Sequence, residues 1–166
     1  MEKGGQIWVE TVIYTLIGLT VIGLLIAGIQ PKIEKSKDRL FIEQAKEVLE
    51  EINSEINEIK SSPGNQRRVS IKINKGILSI DPLEDQLIWT IESSSQYSEL
   101  DYVIQEANLE IVTIEGEPYE VRITLPLLSN LTFNNLETNK SFKETPQPYE
   151  LILKNKGSSI DIRSVN

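Results

Sequence analysis

With 166 residues, 25 acidic against 17 basic side chains and a formal net charge of −8, the chain can hold one modest domain plus an appendage, which speaks against a multidomain enzyme. The acidic balance argues against a general nucleic-acid binder, because phosphate binding needs a basic face. The sequence has no cysteine and no histidine. That excludes disulfides, thiolate metal sites and cysteine nucleophiles, and it removes the usual general base near neutral pH and the commonest zinc ligand.

The chain begins with a short polar stretch in which Lys3-Gly4-Gly5 precedes Gln6, Ile7, Trp8, Val9 and the lone carboxylate of Glu10. Residues 11–31 then carry no formal charge and include Val12, Ile13, Leu16, Ile17, Leu19, Val21, Ile22, Leu24, Leu25, Ile26 and Ile29. At about 1.5 Å per residue, a helix of that length spans roughly 30 Å, the thickness of a bilayer's hydrocarbon core. A lipid-spanning helix is therefore expected. The run is too long for a secretory h-region and has no small-residue cleavage site at its end. Trp8 stands where an interfacial anchor would. Gly18, Gly23 and Gly28 offer close approach between neighbouring helices, although their spacing of five is not the tighter GxxxG motif and glycine is also simply tolerated in membrane helices. Pro31 is expected to kink the helix where it leaves the membrane without necessarily ending it.

Beyond Pro31, Ile33, Leu40, Phe41, Ala45, Val48, Leu49, Ile52, Ile56 and Ile59 recur at helical steps, while Lys35, Lys37, Asp38, Arg39, Glu43, Lys46, Glu47, Glu50, Glu51, Glu55 and Glu58 are read as a solvated remainder. A helix from about Gln6 to Lys60 follows, ended by Ser61-Ser62-Pro63-Gly64-Asn65. The period then falls to two. Val69, Ile71 and Ile73 with Ile77-Leu78-Ser79-Ile80 read as a hairpin around Asn74-Lys75-Gly76, and residues 87–91 as a further strand. Residues 109–114 and 119–125 pair across Glu115-Gly116-Glu117-Pro118, and residues 149–153 and 159–162 flank Asn155-Lys156-Gly157. About seven short strands of this kind make an antiparallel sandwich or barrel-like sheet. The expected class is α+β, with a long helix, transmembrane and then amphipathic, packed on that β-rich head domain.

An unpaired charge near a lipid-spanning segment needs a partner or a task. Cleavage after Gly5 would supply one, since the new amine on Gln6 lies four residues before Glu10. The arrangement of Lys3-Gly4-Gly5, Gln6, Glu10 and the apolar run resembles the precursors of type IV pilins and the archaeal proteins with a class III signal peptide. The resemblance covers Lys3 to about Lys60 and says little about the remainder. It implies a leader at 1–5 cut by a prepilin peptidase on the cytoplasmic side, a membrane and filament-core helix at 6–31, an amphipathic helix at 32–60 and an extracellular head at 61–166. It further implies identical or related pilin subunits, a membrane platform and an assembly ATPase as partners, with membrane lipid as the partner before assembly. Gln6 would be the first mature residue and Glu10 the glutamate implicated in subunit registration. Glutamine at that position is closer to the archaeal branch. Removed from lipid, the apolar segment must bundle with copies of itself, and a contact that repeats without closing makes a filament.

Two readings compete with a pilus-like or pseudopilus-like filament: an archaellin-type motility subunit, and a non-polymerising single-pass membrane protein with an extracellular binding domain. Lys3 on one side against Lys32, Lys35, Lys37 and Arg39 on the other would by the positive-inside tendency place the head in the cytoplasm, whereas the resemblance needs it outside. Two N-glycosylation acceptors, at Asn130 and Asn139, fall in turn-rich sequence. The clusters Asp81-Glu84-Asp85 and Glu99-Asp101 lack the EF-hand pattern and read as solvated loops, so no metal or cofactor is expected. No nucleophile motif or phosphate loop accompanies them, and a membrane-tethered hydrolase has no constellation to recommend it. Trp89, Tyr97, Tyr102, Tyr119 and Tyr149 are assigned to the sheet core or its rim.

Overall fold

The computed structural model describes residues 3–165, with side chains from residue 8 onward. One helix, α1 (Lys3–Ile59), passes through Pro31 without a break in its assignment. Its end matches the expected stop, because Gly64 takes a φ of 93° that closes the turn leading to the first strand. Among the described residues ten strands follow: β1 (Gln66–Ile71), β2 (Ile77–Asp81), β3 (Gln86–Ser93), β4 (Ile104–Glu106), β5 (Leu109–Ile114), β6 (Tyr119–Pro126), β7 (Asn130–Phe133), β8 (Lys140–Lys143), β9 (Tyr149–Asn155) and β10 (Ser159–Ser164). The chain divides into two compact units, one ending at Lys37 and one beginning at Asp38.

In the second unit the strands form two sheets, ordered β1-β9-β10-β7 and β4-β5-β6-β3-β2-β8. All neighbours are antiparallel except β10 and β7, which run parallel. The fold is α+β, with the later half of α1 packed against both sheets around one apolar core, and the sheets stay open rather than closing into a barrel. The helix supplies Ile42, Ala45, Leu49, Ile52, Ile56 and Ile59 to that core. Their steps of three and four put them on one face, and each strand adds alternate residues in the same way. β3 contributes Leu87, Trp89 and Ile91, and β6 contributes Val121, Ile123 and Leu125.

Several expectations are corrected here. The apolar stripe begins at Ile42, which the sequence reading passed over, whereas Ile33 and Leu40 are exposed. Asp38 is not part of a solvated remainder but buried at 5% exposure. The proposed hairpin around Asn74-Lys75-Gly76 does not form, because β1 pairs with β9 and β2 with β3 and β8. This turn is instead a crossover between sheets pressed against β3. The Trp89 indole N–H donates to the Lys75 carbonyl at 3.1 Å. A Cβ at Gly76, whose φ is 90°, would lie 2.2 Å from the Thr90 carbonyl oxygen, so only glycine fits that approach. The hairpins β5–β6 and β9–β10 form as expected. β4, β7 and β8 are additional.

Candidate functional site

The first unit is a stretch of helix whose apolar surface nothing covers. Residues 11–31 remain charge-free, the helix is long and apolar enough to cross a membrane, and none of its most apolar window is buried. Leu16, Leu19, Leu24 and Leu25 are each more than half exposed. A core helix of a water-soluble domain would have its stripe covered, as the later half of the same helix does. Two hydroxyls within the span are bonded back to the helix backbone. The Thr15 hydroxyl donates to the Thr11 carbonyl and the Thr20 hydroxyl to the Leu16 carbonyl, both at 2.8 Å. Side chains bonded back to the preceding turn present no open donor to a hydrocarbon surrounding. This unit is accordingly a candidate membrane span or signal sequence.

The residues singled out for processing and assembly map onto this helix. Lys3, Gly4, Gly5 and Gln6 lie in its first turns, and their side chains are outside the described residues, as are Met1 and Glu2 of the proposed leader altogether. Glu10 and Pro31 are exposed. A Cβ added at Gly18, Gly23 or Gly28 meets nothing within 4 Å, so these glycines leave smooth open surface on the single chain.

In the second unit a set of polar anchors holds the helix to the sheets. The Asp38 carboxylate accepts from the Ser94 N–H and hydroxyl, both at 2.7 Å, and pairs with Lys75. Burial disfavours its charge, yet the Lys75 ammonium and the Ser94 donors outweigh that and hold the carboxyl below its usual range. Lys46 pairs with Glu106 and, at 2.9 Å, with Glu43, and it donates to the Tyr97 hydroxyl at 3.2 Å. Burial again opposes the charge, and the two carboxylates override it, so Lys46 lies above its ordinary value. Its ammonium bond in turn keeps Glu43 low. Burial pushes the Tyr97 phenol up. At the other end, the Asn155 side-chain amide donates to the Ile59 carbonyl at 2.9 Å and satisfies an orphan acceptor of the last helical turn.

Asp161, fully buried in β10, accepts from Arg163 at 2.6 Å, the Asn135 N–H at 2.7 Å and the Thr132 hydroxyl at 2.9 Å. Burial raises its carboxyl, but these donors pull it below the usual range. None of these anchors was singled out from sequence. Charged residues beside an apolar stripe carry the same signature whether solvated or paired, and Lys75 and Ser94, which hold Asp38, and Glu106 and Tyr97, which hold Lys46 together with the nearby Glu43, lie far along the chain. In the sequence, Asn155 carries only the signature of a turn.

Both acceptor asparagines are exposed and lie beside bends and turns, while Leu131 of the first sequon is buried. Asn130 opens β7, and Asn139 directly precedes β8. The acidic loops do not converge: among the described residues no group of three or more histidine, cysteine or acidic side chains is placed to hold a metal ion. Asp81 and Asp85 accept backbone N–H bonds from Leu83 and Leu131 instead. Trp89 is core, Tyr97 and Tyr149 pack against the core from the rim, and Tyr102 is exposed. No known protein family, curated protein or solved structure matches this chain. The functional reading therefore rests on the residues themselves: an uncovered apolar helix in one unit and a self-sufficient β-rich body in the other.

Proposed function

We propose that this chain is a membrane-inserted, filament-forming subunit of the type IV pilin kind, cut between Gly5 and Gln6, with the β-rich unit outside the cell. The observation that carries the reading is the charge-free helical span with none of its residues buried. Such a surface needs either lipid or other apolar helices around it, and a subunit that leaves the bilayer exchanges one for the other. The Lys3-Gly4-Gly5 stretch and Glu10 add the processing and pairing chemistry implied by the resemblance. On this reading the protein is not an enzyme. Its partners are its own copies or related subunits, a prepilin peptidase, a membrane platform with an assembly ATPase, and lipid before assembly.

N-terminal sequencing of surface material tests it directly. Gln6 as the first residue is the expected result, and an intact Met1 in protein that stays monomeric after detergent removal would sink the proposal. Glu10→Ala should abolish filaments while leaving the protein in the membrane. The basic flank at Lys32, Lys35, Lys37 and Arg39 favours a second reading, a non-polymerising single-pass protein with its head in the cytoplasm. A topology reporter fused to the C-terminus separates the two.

A further inference from the structure

Apolar rods packed side by side gain nearly the same contact at many axial offsets, because hydrophobic burial is non-directional. Residues 11–31 alone would therefore give cohesion with weak register. The flanking sequence carries the missing direction. Lys32, Lys35 and Lys37 stand exposed at the end of the first unit, opposed there only by Glu34. Farther along α1, Glu47, Glu50 and Glu51 are exposed. Their spacing at i, i+3 and i+4 places them on one helix face. Among the described residues, neither trio enters an ion pair within the chain, whereas Lys46, Arg67, Lys75 and Arg163 all do.

From this we infer that the occupant of each charged face is a second copy: the basic turn at Lys32, Lys35 and Lys37 of one subunit docks on Glu47, Glu50 and Glu51 of the next. The contact is heterologous, since the two patches are different residues of the chain, so it repeats along a polymer rather than closing a pair. It sets the axial offset that the apolar span leaves loose, as complementary charge does at other interfaces. The inference rests on the filament reading and adds to the proposed Gln6–Glu10 pairing a second charged contact that holds subunit register.

One exposed ion pair contributes little, so the test reverses each trio whole. Sheared filaments are sedimented from cells making the parent chain, K32E/K35E/K37E, E47K/E50K/E51K, or all six substitutions together. Each triple variant should lower filament yield at least about tenfold through like-charge contact, and the six-fold exchange should return it to within about threefold of the parent. The glutamate trio lies on the solvent side of the helix and lysine propagates helix as well as glutamate does, so recovery in the exchanged chain excludes misfolding as the cause of loss. Parent-like yield from either triple variant, or no recovery in the exchanged chain, overturns the inference. Loss confined to the lysine variant, with the chain also depleted from membranes, assigns those lysines to anionic lipid instead and overturns it too. A parent chain that forms no filament fails the filament reading itself, a result distinguishable because it precedes any variant.

Discussion

Leu24 and Leu49 are leucines on the same α-helix, yet one is 70% exposed and the other 0%. The first belongs to the unit that ends at Lys37, the second to the unit that begins at Asp38. Burying a leucine side chain stabilises a fold by about 1.5–3 kcal/mol. The second unit collects that contribution along the whole stripe from Ile42 to Ile59, against residues of both sheets. The first unit has no such buried leucine within the chain. One helix thus carries two kinds of apolar surface, an inward stripe that is already used and an all-round surface that is still open. The difference shows which part of the molecule closes on itself and which leaves its apolar side chains uncovered.

The comparison breaks most visibly if a charge is placed at each of these leucines. Leu49→Asp puts an unpaired carboxylate into the core and should cost more than about 4 kcal/mol, enough to remove the cooperative melting of the β-rich unit in circular dichroism of the detergent-solubilised full chain. Leu24→Lys should leave that melting midpoint unchanged while costing about 2.5–3.5 kcal/mol of membrane insertion, read as a shift of protein from the membrane to the soluble fraction. Equal loss of melting in both variants would erase the division between the units.

Asp38→Asn sharpens the boundary itself. It leaves Lys75 without its carboxylate partner and weakens two bonds from Ser94. The expected loss is about 1–3 kcal/mol, seen as a lowered melting midpoint with no change in membrane content.

The smallest effect is the response to pH. Asp38, Glu43 and Asp161 lie below the ordinary carboxylate range in the folded chain. A depressed folded value gives stability that is complete above the unfolded values of about 4 and is lost as pH falls through the folded ones. Lys46 is raised, so its contribution is complete below the unfolded value of about 10.4 and fades only as pH rises beyond it. The melting midpoint should therefore hold level between about pH 5 and 9 and drop in acid. Asp161→Asn should shrink the acid drop, and an unchanged acid slope would show that these anchors do not carry it.

Sequence periodicity revealed what is local. The charge-free span, the amphipathic second half of the helix, the breaker at Pro63-Gly64 and the hairpins β5–β6 and β9–β10 each follow from neighbouring residues. Short strands escaped because they hold too few residues to show alternation: β8 buries only Phe142, and β4 is three residues long. The two Asn-Lys-Gly turns were read alike, but only the one at Asn155 turns a hairpin, while the other ends in a glycine wedged against Thr90. What separates them is the surface each meets, which no local pattern carries. The anchors at Asp38, Lys46 and Asp161 were hidden for the same reason. The residues proposed for processing and assembly, Lys3, Gly5, Gln6 and Glu10, belong with the local patterns, because they lie within a few positions of one another.

The order β1-β9-β10-β7 places the last-made of the described strands in the middle of their sheet. β1 and β7 emerge from the ribosome with no neighbour in that sheet, and they can be zipped together only when residues 149–164 arrive between them. A chain delivered across a membrane while still being made would therefore travel with this sheet unassembled. Trimming the chain back past β9 would remove its centre strip rather than its hem.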